Sequence, residues 1–444
     1  MSTISIELLN HASALVTANG ISILSDPWLG GTCLRGGWGL RYENPSAWER
    51  AYSATHVWVS HFHGDHLHFP TLKQISDKAP GMEALANDSY NFDMGKALAK
   101  AGFKKIIPLR ERKPIALGGG VEIERYPSSA IDNMLVIKAN GLTVLNLNDC
   151  NLPLRALKTL AQKIGPIDVL MANYNLAGQW LEDDSLEGIK QKFRHRFQQV
   201  VETVNPKWVV PFASHQLYRS PASVSLNATM MTFQEIAASC AQVVPLDLGM
   251  TAVFQSGKPP EIKPAPIPCT LSTLGPMTLG PSIPWSDLCK AAETFRSKLN
   301  REFFGAGVFN PPVRVLVEDL SRVLEIRLGT GIAEAAASSP AHIAAHSTAI
   351  LDWFTTPFGT DVFTGGAHYR IPNARELAPF KRLLLFGMLQ DNLLSLRRCL
   401  KMMLSPGGWG FLYHRREELL AIARIGKLRA AQFREEDNVR EIAS

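Results

Sequence analysis

Four side chains able to bind a metal ion, His61, His63, Asp65 and His66, fall within six residues of the run Ser60-His61-Phe62-His63-Gly64-Asp65-His66-Leu67-His68. Residues two apart in an extended segment point to the same side, so His61 and His63 can share one ion. Asp65 and His66 follow at once and can turn towards a second ion a few ångströms away. Neutral imidazoles mixed with a hard carboxylate suit zinc, iron or manganese. Two such ions would acidify a water and polarise a carbonyl or phosphoryl oxygen, with Asp65 accepting the water's proton. That is the chemistry of ester, lactone, amide or phosphodiester hydrolysis.

The elements around this run must position it and supply further donors. His56-Val57-Trp58-Val59 reads as a short buried strand leading into it, and Gly64 eases the turn. Residues 5–9 and 13–18 read as strands around Asn10-His11. Asn19-Gly20 marks a hairpin into residues 21–24, which end at Ser25-Asp26-Pro27-Trp28. Asp26 is a candidate to orient the metal-bearing turn, because a ligating histidine donates its other N–H outward. His11 reads equally as a buried core histidine or as a neighbour of the site. Residues 30–44 form a Gly-rich loop carrying Trp38 and Tyr42, a surface loop or a substrate wall.

Residues 121–126 alternate with period two, and Asn140-Gly141 joins strands at 134–138 and 142–147. The second of these delivers Asp149 to a strand end, where one carboxylate can bridge two cations. Residues 167–172 read as a buried strand followed by a polar and aromatic segment, whose Tyr174 and Trp180 are candidates to line a pocket. Residues 207–212 form another strand, ending at Ser214-His215.

The H-x-H-x-D-H spacing resembles the signature of the metallo-β-lactamase fold superfamily. His11-Ala12 with Leu24-Ser25-Asp26-Pro27-Trp28 resembles the opening of the branch containing ascorbate-6-phosphate lactonases and N-acylphosphatidylethanolamine phospholipase D. The runs His66 to Leu72, Asn146-Leu147-Asn148-Asp149-Cys150 and Pro211-Phe212-Ala213-Ser214 are similar to the CMP-N-acetylneuraminate hydroxylase branch. The resemblance implies a four-layer αββα fold of class α/β, a bridging role for Asp149, and His215 as the last ligand of the second ion. It also implies a further histidine just past residue 126, where this chain has Pro127-Ser128-Ser129-Ala130-Ile131-Asp132. Asp132, Glu124 or a water remain the candidates for that place, and a carboxylate there would favour iron or manganese over zinc. The implied cofactors are two divalent ions, zinc first. The expected activity is hydrolysis of a small molecule. An iron-dependent hydroxylase is the alternative, and a non-catalytic metal-binding module the third reading. The hydroxylase branch carries iron–sulfur ligand pairs C-x-H and C-x-x-H that this chain lacks, so an oxygenase here would need a separate electron donor.

Composition narrows the class further. At 444 residues with 46% hydrophobic and 19% charged, the chain reads as two globular domains. The expected division is a metal-binding domain over 1–255, a Pro-rich linker over 256–270 and a C-terminal α+β, helix-rich domain over 271–444. Residues 356–361 of that last domain loosely resemble an element of sterol-carrier-like domains. Expected helices there cover 285–304, 333–338, 342–353 and 378–404, with strands at 313–317 and 323–328. No run of eighteen apolar residues exists, and no basic-then-apolar leader opens the chain, so a cytoplasmic location is expected. Six dispersed cysteines fit reduced thiols. The net charge of +6 draws on Arg397, Arg398, Lys401, Arg415, Arg416, Arg424, Lys427 and Arg429, which interleave with glutamates and read as a solvated face rather than a nucleic-acid surface.

Overall fold

In the computed structural model, the described residues are 3–89, 92–128, 132–182, 184–305, 310–372, 376–405 and 408–409. The basic residues Arg415, Arg416, Arg424, Lys427 and Arg429 lie outside them, as do Ser129 to Ile131 of the segment lacking its histidine. The chain divides into two compact units. The first comprises Met1–Ala177, Asp184–Arg219 and Ser225–Gly275; the second comprises Gly178–Asp183, Ser220–Val224 and Pro276–Ser444.

Two large sheets form the body of the first unit. The eight-stranded sheet runs, in spatial order, Glu261–Lys263, Thr251–Phe254, Ile4–Asn10, Ser13–Ala18, Ile21–Ser25, His56–Trp58, Glu83–Asn87 and Lys105–Leu109. The six-stranded sheet runs Ile115–Gly118, Val121–Ser128, Asp132–Ala139, Leu142–Asn146, Val169–Ala172 and Trp208–Pro211. One core joins them, with Ile4, Ile6, Val16 and Trp58 from the first sheet and Ile123, Leu135, Val144 and Val210 from the second. Helices Leu154–Ile164 and Leu186–Val204 cover the other face of the six-stranded sheet through Leu157, Phe197 and Val201. Helix Met94–Lys100 packs along Glu83–Asn87 and Lys105–Leu109 of the first sheet. This is the expected αββα layering.

The strands nearest the ligand run are parallel. His56–Trp58 lies between Ile21–Ser25 and Glu83–Asn87, so Asp26 and Ser60 leave the sheet at the same end. In the other sheet Leu142–Asn146, Val169–Ala172 and Trp208–Pro211 are parallel too, and all release their loops at one edge. Parallel strands collect successive loops at their carboxyl ends, which is how residues distant in sequence meet.

Two expectations about this unit change. Residues 30–44 are not a free loop: Trp38–Leu40 pairs antiparallel with Gln216–Tyr218, and Thr32–Cys33 pairs with Trp38–Leu40. The 256–270 segment is not an unpaired linker either. Glu261–Lys263 extends the large sheet as its edge, and Thr270–Leu271 pairs with Tyr42–Glu43. Proline-rich composition tolerates edge strands, where one row of N–H groups needs no partner.

The second unit has a four-stranded sheet in the order Gly331–Ala335, Arg322–Arg327, Val313–Val317, Ile343–Ala345. Its core packs Leu288, Phe295, Val315, Ile326, Trp353, Phe363 and Phe380. Of residues 333–338, read as helical, 333–335 instead end the edge strand Gly331–Ala335, paired with Arg322–Arg327, and 336–338 turn away from it. Residues 342–353 divide into strand Ile343–Ala345 and helix Ser347–Thr355, because His346 caps the helix by accepting from the Thr348 N–H. The apolar run 378–404 breaks into Ala378–Asp391 and Leu396–Met403. Leu393 takes a left-handed conformation there, and Ser395 caps the second helix. Among the described residues no helix is long and apolar enough to cross a membrane.

Candidate metal centre

The ligand run is held from beneath. At the end of His56–Trp58 the Asp26 N–H donates to Trp58 O at 2.9 Å, and the Ser60 N–H donates to Asp26 Oδ1 at 2.7 Å. The turn then closes on itself, with the Leu67 N–H on His63 O at 2.7 Å. Helix Phe69–Lys78 starts directly after it, with Pro70 in its first turn. His68 is that helix's cap: its Nδ1 lies 2.8 Å from Thr71 Oγ1 and accepts from the Thr71 N–H. The last histidine of the run is therefore spent on the backbone and is no ligand.

A polar brace reaches the turn from the facing sheet. Asn133 Nδ2 donates to Ser60 O at 2.7 Å, and Arg125 donates to Asn133 Oδ1 at 2.8 Å. Asn87 Nδ2 donates to Val59 O and Ser60 O, while Trp58 Nε1 donates to Asn87 Oδ1 at 3.0 Å. None of Asn87, Arg125 and Asn133 carries a local sequence signal. Each is a polar residue at a strand position that local pattern leaves unassigned.

Among the described residues, two groups have donor atoms all within 4.8 Å of one another: His61, His66 and Asp149, and His11, Asp65 and His66. His63 adjoins the first group, with its Nδ1 2.8 Å from His61 Nε2. Asp132 Oδ1 lies 3.8 Å from the same His61 Nε2. Asp149 Oδ2 is 3.1 Å from His66 Nε2, and Asp65 Oδ2 is 3.2 Å from it. Asp26 stands behind: its Oδ2 is 3.2 Å from His66 Nδ1 and also accepts from Asn148 Nδ2. Ser60 Oγ sits 2.8 Å from His61 Nδ1.

Two sequence candidates, Glu124 and His215, fall outside these donor groups, and Trp180 belongs to the other unit. Glu124 is four residues back along Val121–Ser128 from the strand end, opposite Val136, and hydrogen-bonds to Tyr126 on the helix-covered side of the sheet. At about 3.3 Å per residue it sits some way from the cluster. Trp180 belongs to the Gly178–Asp183 segment of the second unit. His215 is in neither donor group. Its Nε2 lies 3.4 Å from the Tyr174 hydroxyl, its Nδ1 is buried without a hydrogen-bond partner, and its ring meets Tyr42 edge-on at 5.9 Å.

Burial, with the positive potential of neighbouring imidazoles, holds His61 well below its ordinary value; burial also lowers His63 and takes His215 down to about 3. These three are neutral near pH 7, as ligands must be. Burial also pulls on His66, but Asp65, Asp149 and Asp26 together outweigh it and hold its pKa well above normal. Asp65 is likewise pushed up by burial, and is nevertheless kept well below the usual carboxylate range by His66 and His11. With its Nδ1 facing Asp26, His66 turns Nε2 onto two carboxylate oxygens. An atom placed so needs a proton or a cation between them. The residues present thus fit divalent ions: buried imidazoles, hard oxygens, and more negative than positive charge.

A model described as a β-lactamase superfamily domain matches residues 5–213. The cytidine monophosphate-N-acetylneuraminic acid hydroxylase of Cricetulus griseus is 26% identical over 249 residues, 51% of this chain and 42% of that protein. The Xenopus laevis protein of that name is 25% identical over 247 residues, 51% and 40% of the two. The match thus spans less than half the length of these relatives. Among solved structures, a diiron β-hydroxylase from Streptomyces venezuelae aligns over 57% of this chain and 54% of its own at 16% identity, TM-score 0.40. A metallo hydrolase from Ignicoccus hospitalis aligns over 57% and 99% at 16% identity, TM-score 0.38.

Proposed function

Residues 5–213 belong to the β-lactamase superfamily, and on that premise we propose that this chain is a dinuclear metal-dependent hydrolase of a small-molecule ester, lactone, amide or phosphodiester. The observation carrying this reading is that His61 and His66, from one sheet, and Asp149, from the other, bring their donor atoms within 4.8 Å of one another. His61 and His63 would hold one ion and Asp65 and His66 the other, with Asp149 within reach of His66 and Asp132 beside His61. Of the two carboxylates offered for the missing histidine, the 3.8 Å separation from His61 supports Asp132 over Glu124.

Bound divalent ions supply an acidified water and a polarised substrate oxygen. The chain's own groups orient and protect that chemistry. Asp26 and Ser60 hold the Nδ1 atoms of His66 and His61, so the Nε2 atoms of both rings face inward. Asp65, ionised at neutral pH, takes the proton released by the nucleophile. The Tyr174 hydroxyl, pushed well above the ordinary phenol range by burial, stays protonated and is available to donate to a substrate oxygen.

One observation favours a second reading, an iron-dependent hydroxylase. With Asp132 at the first position, His61, His63 and Asp132 make a two-histidine, one-carboxylate set, a ligand type that suits iron and dioxygen. The curated relatives are hydroxylases by name. An electron donor would then be a partner. Elemental analysis of protein purified without added metal separates the two. About two equivalents of zinc with ester or phosphodiester turnover supports hydrolysis. Iron, with an optical change on admitting oxygen, supports hydroxylation. Metal-free protein that takes up neither ion ends both.

A further inference from the structure

His11 and His66 present the same atom to the same oxygen: their Nε2 atoms lie 3.3 Å and 3.2 Å from Asp65 Oδ2. Distance alone would make both of them ligands of one cation. What touches the other nitrogen of each ring separates them. His66 Nδ1 faces the Asp26 carboxylate, which only accepts, so Nδ1 carries hydrogen and Nε2 can give its lone pair to a cation that replaces the proton shared with Asp65 and Asp149. His11 Nδ1 faces the backbone N–H of His215 at 3.2 Å, which only donates, so Nδ1 must accept. A neutral imidazole has one N–H, and in His11 it is therefore on Nε2. A nitrogen carrying its hydrogen cannot bind a metal ion.

We propose that His11 is a positioning residue, its tautomer fixed by the His215 backbone amide, whose Nε2–H donates to Asp65 and sets the direction of that carboxylate. The proposal rests on the metal reading above and refines it: His11 acts on a ligand and is not one. His11 Nε2 is buried without a hydrogen bond of full geometry, and the Asp65 carboxylate oxygen at 3.3 Å is the acceptor it faces. The ring has little freedom to turn away, being 2% exposed and met edge-on by Trp28 at 5.5 Å and Trp38 at 6.1 Å. The amide that fixes it is fixed in turn. His215 lies at the head of the pairing between Trp38–Leu40 and Gln216–Tyr218, with the Arg41 N–H on His215 O at 2.9 Å. His215 thus serves the centre through its main chain, whatever its side chain does.

Two measurements on the full chain test this. Long-range nitrogen–proton spectra of imidazole-labelled, metal-free protein read the tautomer directly. The proposal expects hydrogen on Nε2 of His11, assigned by its loss in His11→Ala, and hydrogen on Nδ1 overturns it. This readout holds even if the protein binds no metal, an outcome that would defeat the proposed function alone. Cobalt(II) titration of wild type, His11→Gln and His11→Ala gives the second measurement, with circular dichroism confirming that each is folded. The Gln side-chain amide reaches as far as Nε2 and still donates. His11→Gln should keep the wild-type stoichiometry and visible spectrum, while His11→Ala should weaken the second ion about 10–100-fold. If Gln and Ala lose the same ion with the same spectral change, His11 is a ligand and the proposal is wrong. An Ala variant that binds like wild type overturns it equally.

Discussion

At the scale of single residues, the centre depends on which ring nitrogen is free. Burial makes His61 and His63 neutral, and the hydrogen bonds behind the rings choose the atom that faces inward. Replacing a donor within the cluster should therefore remove an ion rather than shift a rate. His61→Ala or Asp149→Ala should lose about one equivalent of metal or more, read by elemental analysis, along with any turnover. Retention of both ions in either variant would sink the ligand assignment. Asp132→Ala and Glu124→Ala form a paired test: the first should lower occupancy beside His61, and the second should leave it at the wild-type level. The reverse result would move the missing ligand back along the strand.

Elements decide how rigidly those residues are held. The turn after His56–Trp58 is gripped by Asn87 from a neighbouring strand and by Asn133 from the facing sheet. Both carboxamides are almost fully buried. Asn133→Ala leaves the Ser60 carbonyl and a buried Arg125 N–H without that partner, and should cost about 1–3 kcal/mol of unfolding free energy in denaturant titration. It should weaken metal binding as well, because the turn carries every proposed ligand from 61 to 66. In the second unit, buried Glu325 receives Arg314 at 2.8 Å and Arg327 on its other oxygen. Burial alone would raise its pKa, but these two guanidiniums reverse that and leave it lowered. A lowered folded-state value means stability that is present above the unfolded pKa, near 4.3, and lost as pH falls through the folded one. Thermal scans below that pH should show a shallower loss for Glu325→Gln than for wild type. Identical slopes would remove the linkage.

For the whole molecule, the division into units sets where the chain can be cut. The sequence reading puts the end of the metal-binding part at 255, ahead of a linker. The strands at Glu261–Lys263 and Thr270–Leu271 belong to the first unit, and its last segment runs to Gly275. A chain ending at 255 should melt several degrees below one ending at 275, since it exposes the edge of Thr251–Phe254 and unpairs Tyr42–Glu43. Equal melting temperatures would return those residues to linker status.

What the sequence determined by itself was local. The ligand types and spacing at 61–66, the Asn140-Gly141 hairpin that delivers Asp149, and the alternation of apolar strands all follow from neighbours along the chain, whereas the layering of those strands was implied only by the family resemblance. Its failures were also local patterns read too literally. The apolar run at 378–404 hid a left-handed break at Leu393, and proline content suggested a linker where an edge strand pairs. Tertiary structure alone decided that Asp132 rather than Glu124 adjoins His61, that His68 is spent on a helix cap, and that His11 rather than His215 faces Asp65. The reason is that a strand's period fixes which side a residue faces but not which distant loop it meets. The hydrogen bond on the far side of an imidazole, which selects its free nitrogen, comes from residues up to 204 positions away.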